Sequence, residues 1–151
     1  MNLKWEGQEL VTAPRHAVWA FITDPYKIAE CVPDLIESTV NTPLDFDAVV
    51  AVAVGPVRGT FKLKIALDHG AELHGMGLKI SGGGFGSVVD LVAGARLEDN
   101  GDLTTTLNWH GEAVMRGPVA TVGGRVIDAQ AQRVIRSTFE NVKSRCSSSI
   151  E

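Results

Sequence analysis

Between residues 46 and 115 apolar and polar positions alternate with a period of two. Phe46, Ala48, Val50, Val52 and Val54 form one run, and Phe61, Leu63, Ile65 and Leu67 a second. His74, Met76, Leu78 and Ile80 form a third, and Val89, Leu91, Ala93, Ala95 and Leu97 a fourth. Leu103, Thr105, Leu107, Trp109, Gly111, Ala113 and Met115 complete the series. Such alternation predicts strands with one buried and one wetted face. Turn signals separate the runs: Val54-Gly55-Pro56, Asp68-His69-Gly70, Gly82-Gly83-Gly84 and Asp99-Asn100-Gly101-Asp102. Connections this short favour hairpins and an antiparallel meander.

The N-terminal part reads differently. Lys4 to Thr12 predicts a first strand. Pro14 suits a first helical turn, and Val18, Phe21 and Ile22 fall on one helical face. Asp24-Pro25 starts a second short helix, which Val32-Pro33 returns to extended chain. After Gly117-Pro118 one continuous helix is predicted from Val119 to about Cys146, ~40 Å long at ~1.5 Å per residue. Val119, Val122, Val126, Ala129 or Gln130, and Val134 lie near one line, which Thr138, Phe139 and Val142 extend. The fold class is α+β: a curved antiparallel sheet covered by one long C-terminal helix. That is a container, built as one domain over residues 1–146, with 147–151 a frayed tail.

The 151 residues are 44 % hydrophobic and 21 % charged, with a net charge of -4. This is an ordinary globular balance. There is no basic stripe, so nucleic acid is not the expected partner. No run approaches the ~20 apolar residues that span a bilayer. The first residues lack the apolar core of a signal peptide. A cytoplasmic protein with at most peripheral membrane contact is expected. Cys31 and Cys146 are not in a CxxC pair, so no redox or zinc motif is read.

Several short stretches resemble one known family when taken in order. They are Ala13-Pro14 with Val18-Trp19-Ala20-Phe21 and Asp24-Pro25, then Cys31-Val32-Pro33, then Val54-Gly55-Pro56-Val57-Arg58-Gly59-Thr60-Phe61. Gly75-Met76-Gly77, the run Gly82 to Gly86, and Val122-Gly123-Gly124-Arg125-Val126-Ile127 continue the series. The chain resembles the carbon monoxide dehydrogenase G-subunit family within the START-like, or polyketide cyclase/Bet v 1-like, superfamily. The resemblance implies a helix-grip fold: a seven-stranded sheet around the long helix, with two short helices between strands 1 and 2. It also implies an accessory protein for a molybdenum hydroxylase of carbon monoxide dehydrogenase type, acting in maturation, in recruitment or in delivery of a hydrophobic electron carrier. The wider superfamily binds lipids, sterols, quinones and polyketides. Asp34 departs from the pattern, which often has glycine there, and Gly124 stands where a small polar residue is common. The chain stops soon after the helix, where some relatives carry a tail that could reach a membrane; a stable anchor is not expected.

Candidate chemistry is sparse. Gly82 to Gly86 reads as a hairpin connection, because a strand and not a helix follows it. Gly123-Gly124 inside the helix reads as close packing on the sheet or as a soft point. His16, His69, His74 and His110 lack convergent metal-ligand spacing, so neither a metal nor a cofactor is expected. His74 shares the inward parity and is the one titratable inward residue on the strands. His110 and Glu112 fall together on the wet face, as a loose pair. Asp90 and Glu98 have the wrong parity for acid–base work inside. The expected function is therefore non-catalytic binding of a quinone or lipid-like molecule. Phe61, Leu63, Ile65, Leu78, Leu91, Leu107 and Trp109 would line the sheet side, and Val122, Val126, Gln130, Val134 and Phe139 the helix side. Gln130 would orient a carbonyl oxygen, and Val126→Trp would block the space. The alternatives are an assembly factor acting through its surface, and a small cyclase or dehydratase that His74→Ala would expose. An open sheet edge is compatible with a homodimer.

Overall fold

The computed structural model describes residues 1–69 and 74–148. The chain runs β1 (Asn2–Val11), α1 (Arg15–Ile22), α2 (Pro25–Cys31), β2 (Leu35–Thr42), β3 (Asp45–Val54), β4 (Val57–His69), β5 (Gly75–Gly84), β6 (Ser87–Asp99), β7 (Thr105–Arg116), a 3-10 turn (Pro118–Val122) and α3 (Gly124–Ser148). The strands form one seven-stranded antiparallel sheet in the order β1-β7-β6-β5-β4-β3-β2. From β2 to β7 each strand pairs with its neighbour in sequence. β1 joins the far side, where Asn2 faces Val114 and Val11 faces Thr105.

Local chemistry explains the boundaries. The Asp24 carboxylate caps α2 by accepting from the Tyr26 N–H at 2.9 Å, and Pro25 fills the first turn. Pro14 stands one place earlier than expected, at the cap of α1 with extended backbone. Asp34 adopts φ +61, the left-handed conformation a glycine would take without strain. Its carbonyl accepts from the Ala51 N–H at 2.9 Å, so β2 is tied to β3 at its start. Cys31 and Cys146 are buried thiols, not joined in a disulfide.

Four expectations are corrected. The glycine run Gly82-Gly83-Gly84 is strand, and the turn is Phe85-Gly86. A Cβ at Gly82 would lie 2.1 Å from the Lys62 carbonyl oxygen, so close strand approach explains the glycine. Leu103 is not strand; it is an exposed turn residue at φ +66, and β7 starts at Thr105. Asp68 and His69 extend β4, whereas Gly70 of that expected turn lies outside the described residues. The long helix does not run unbroken from Val119. Gly123, at φ +98, separates a 3-10 turn from α3, so the glycine pair is a junction and not a helix interior.

α3 continues through Ser148, and the Ser147 hydroxyl donates to the Thr12 carbonyl at 3.3 Å. Residues 149–151 of the expected tail are outside the described residues. The main core gathers Val11, Val18, Phe21, Phe46, Ile65, Leu67, Leu97, Leu107, Val142 and Cys146 between sheet and helices. A smaller cluster of Phe61, Val89 and Val119 closes the other end of the sheet. There the Ser87 hydroxyl accepts from the buried Val119 N–H at 2.9 Å and pins the 3-10 turn.

Candidate functional site

The sheet curves away from the C-terminal half of α3 and leaves a cavity of about 260 Å³. Its floor is Leu67, Met76, Leu78, Ile80, Leu91, Ala93, Ala95, Leu107, Trp109 and Gly111. Its roof is Val134, Ile135, Thr138, Phe139 and Val142 on α3, with Ile22 and Ile28 at the end formed by the short helices. The space exists because the central positions of β6 and β7 carry Ala93, Ala95 and Gly111, which fill little volume. The lining is almost wholly apolar. Thr138 adds no free donor, because its hydroxyl bonds the Val134 carbonyl at 2.8 Å.

Polar groups gather on one side, at the seam between β1 and α3. On β1 the inward positions are Leu3, Trp5, Gly7, Glu9 and Val11, the parity of the buried Val11. Trp5 Nε1–H donates to Asp128 at 2.7 Å, and Asp128 also accepts from Gln132 at 2.8 Å. Trp109 Nε1–H donates to Glu9 at 3.3 Å, and the other Glu9 oxygen pairs with Lys143 at 2.8 Å. The Trp109 ring packs on Phe139 with centroids 5.3 Å apart. It also covers Gly7, where a Cβ would meet it at 2.8 Å. Outside this wall lies a cleft of about 520 Å³, lined by Lys4, Glu6, Glu9, Arg136, Glu140 and Lys143 besides the two indoles and Ile135.

Of the residues expected to line the container, Leu78, Leu91, Leu107, Trp109, Val134 and Phe139 meet at this cavity. The others lie elsewhere. Phe61 is buried in the smaller cluster against Phe85, with ring centroids 5.2 Å apart. Leu63 packs between the two clusters, and Ile65 is buried in the main one. Val122 closes the 3-10 turn beside Gly55. Val126 is 41 % exposed, in a groove with Ala53, Val54 and Gly55. Gln130 borders that groove and its neighbour, and its Oε1 accepts from Arg133 at 3.4 Å.

The physical reason is helix phase. Each step of four along α3 overshoots a full turn by about 40°, so Val126 and Gln130 drift off the inward line of Ile127, Val134, Ile135, Thr138, Phe139, Val142 and Cys146. Val126→Trp would therefore not block the cavity. Among the lining residues, Trp5, Ile28, Gly94 and Ile135 escape the sequence reading. The parity of β1 carried a signal for Trp5.

The titratable groups also differ from expectation. His74 is exposed in the turn before β5 and does not face inward. Glu9 shares the inward parity of β1 and lines the neighbouring cleft, whereas His110 is the titratable residue that borders the cavity. Glu112 pairs with Lys4 at 3.5 Å instead of His110. Among the described residues no group of three His, Cys, Asp or Glu side chains is placed to hold a metal. Burial pushes the Cys31 thiol up to about 11 and raises Cys146 too, so neither is a reactive thiolate near neutral pH. No helix among the described residues is long and apolar enough to cross a membrane.

Comparison with known proteins gives a consistent picture. A family profile described as the carbon monoxide dehydrogenase G subunit (CoxG) matches residues 7–147. No curated protein matches the chain in sequence. Among solved structures, a conserved protein from Geobacillus kaustophilus is similar with TM-score 0.88 and 20% identity, over 97% of each chain. The ZhuI aromatase/cyclase from Streptomyces sp. R1128 is similar with TM-score 0.72 and 13% identity, over 100% of this chain and 97% of that one. A START superfamily protein from Mycobacterium smegmatis gives TM-score 0.72 and 11% identity, over 96% and 97%. At these identities the likeness establishes the START-like helix-grip fold.

Proposed function

Because the chain belongs to the carbon monoxide dehydrogenase G-subunit (CoxG) family, we propose that it binds an apolar small molecule under α3 and serves, without turnover, as an accessory protein of a molybdenum hydroxylase of carbon monoxide dehydrogenase type. The observation that carries this reading is the cavity itself: about 260 Å³, apolar, and roofed by half of one helix. Well-packed interiors rarely keep such a space. An apolar cavity of about 150 Å³ stays dry and binds benzene in another protein. The larger space here suits a body of one or two fused rings, such as a quinone head, and lies just under the ~300–1,000 Å³ usual for small-ligand pockets. Apolar burial would drive binding, at about 25 cal/mol per Å² before ordering costs.

The chemistry of the wall favours holding over reacting. Glu9 would be the natural general base, but Lys143 and Trp109 engage both oxygens of its carboxylate. Native mass spectrometry of protein purified gently from its own host, followed by organic extraction, tests the reading. A bound mass that extracts as an apolar molecule is expected. Ile135→Trp should fill the cavity and lower uptake of the dye phenylnaphthylamine at least ~tenfold, with an unchanged circular dichroism spectrum. An empty protein whose dye uptake ignores this substitution would shift the proposal to a surface role, for which the grooves beside Arg58, Arg125 and Arg133 offer the interface.

A further inference from the structure

The cavity and the charged cleft outside it are two rooms with a thin common wall. Trp5, Trp109 and Ile135 line both. Both indole N–H groups bond carboxylates, Asp128 and Glu9, at the β1–α3 seam. This seam concentrates the polar groups that touch the cavity wall. The cleft holds three cations, Lys4, Arg136 and Lys143, against three anions, Glu6, Glu9 and Glu140.

We infer that this cleft is the second half of the ligand site, and that the ligand is a neutral amphiphile whose apolar body fills the cavity while an acceptor oxygen at one end is held by Lys143. The inference rests on the cavity reading above and extends it. An ammonium has three donors, and Glu9 takes one of those on Lys143, leaving two for a carbonyl in the cleft. Arg136 donates to no side chain among the described residues and stands as a second donor in the same cleft. The balance of three cations and three anions gives neither an anionic nor a cationic head group a net attraction, so a neutral polar end is preferred. Gln130 cannot take this role, since it faces the grooves on the other flank of the helix.

Two naphthalene dyes separate the rooms. Prodan carries a ketone oxygen, and phenylnaphthylamine carries none. Lys143→Met should weaken prodan binding about tenfold and change phenylnaphthylamine binding less than about twofold, the difference expected for one hydrogen bond to a charged donor. Lys143→Arg should restore prodan binding. Naphthoic acid should bind less tightly than its methyl ester. Equal weakening of both dyes, or prodan binding indifferent to Lys143→Met, overturns the cleft as a subsite and leaves the cavity reading intact. Tighter binding of the acid than the ester overturns the neutral head. Failure of the unmodified protein to take up either dye overturns the cavity reading and this inference with it.

Discussion

The C-terminal half of α3 sets Val134, Ile135, Thr138, Phe139 and Val142 over an apolar space. The N-terminal half sets Val126, Ala129, Gln130 and Arg133 over grooves that solvent reaches. Both halves cross the same sheet, and the difference lies in what the sheet presents. At the N-terminal end Phe61, Val89 and Val119 fill the interior by themselves, and α3 adds the buried Ile127. At the C-terminal end Ala93, Ala95 and Gly111 leave room that the helix side chains do not reach. Cavity volume is thus a local matter of side-chain size on β6 and β7, and the helix-grip fold alone does not confer it.

The contrast can be broken from the closed side. Leu107, 1 % exposed, is both core and cavity floor. Leu107→Ala should cost about 2–5 kcal/mol in urea unfolding, because it joins a new void to one already present. A cost near zero would mean that the floor is loosely packed and the two halves are alike.

A smaller effect follows from the thiols that seal the same end. Cys31 is fully buried where α2 meets α3, and Asn141 donates to its carbonyl at 3.0 Å. Burial raises its thiol from an ordinary value of 9.0 to about 11. The unfolded chain then ionises first, so the stabilisation is complete below pH 9 and is lost as pH rises to 11. The loss is roughly 2 kcal/mol. It should appear as a steeper fall of the urea midpoint in the unmodified protein than in Cys31→Ala, and identical slopes would contradict it.

The smallest effect belongs to the open side. Val126→Trp should change stability by less than about 0.5 kcal/mol and leave dye uptake unaltered. Reduced uptake would show that the helix turns its other face inward.

Strands β3 to β7, their hairpins and the terminal helix were legible, because period-two runs and Gly/Pro/Asn/Asp turns report directly on backbone geometry. The mostly exposed β2 showed no such run, and the pairing of β1 with β7 was not read. The helix side of the cavity was less so. Counting from Val119 in steps of three and four crosses the junction at Gly123, and within α3 each step of four drifts about 40° off the inward line. The resulting phase selects Val122, Val126 and Gln130 in place of Ile127 and Ile135. His74 fails for a similar reason: its parity matches Met76, but β5 begins at Gly75. Glu9 was readable from the alternation of Leu3, Trp5, Gly7 and Val11. An acid at an apolar position is informative when the strand is long enough to fix its face.

The pairing of β1 with β7 has a consequence for the birth of the protein. Every other strand meets a neighbour that immediately precedes or follows it in the chain, whereas Asn2 waits for Val114. Loop closure is costlier for such distant partners, and they set the pace of folding more than hairpins do. On the ribosome β1 is made first, yet it has nothing to pair with until β7 has emerged. During that interval Leu3, Trp5 and Val11 lie on an unpaired strand of the nascent chain, a hazard for association between chains. The strand that supplies Trp5 to the cavity and Glu9 to the cleft beside it can take its place only after β7 has been made.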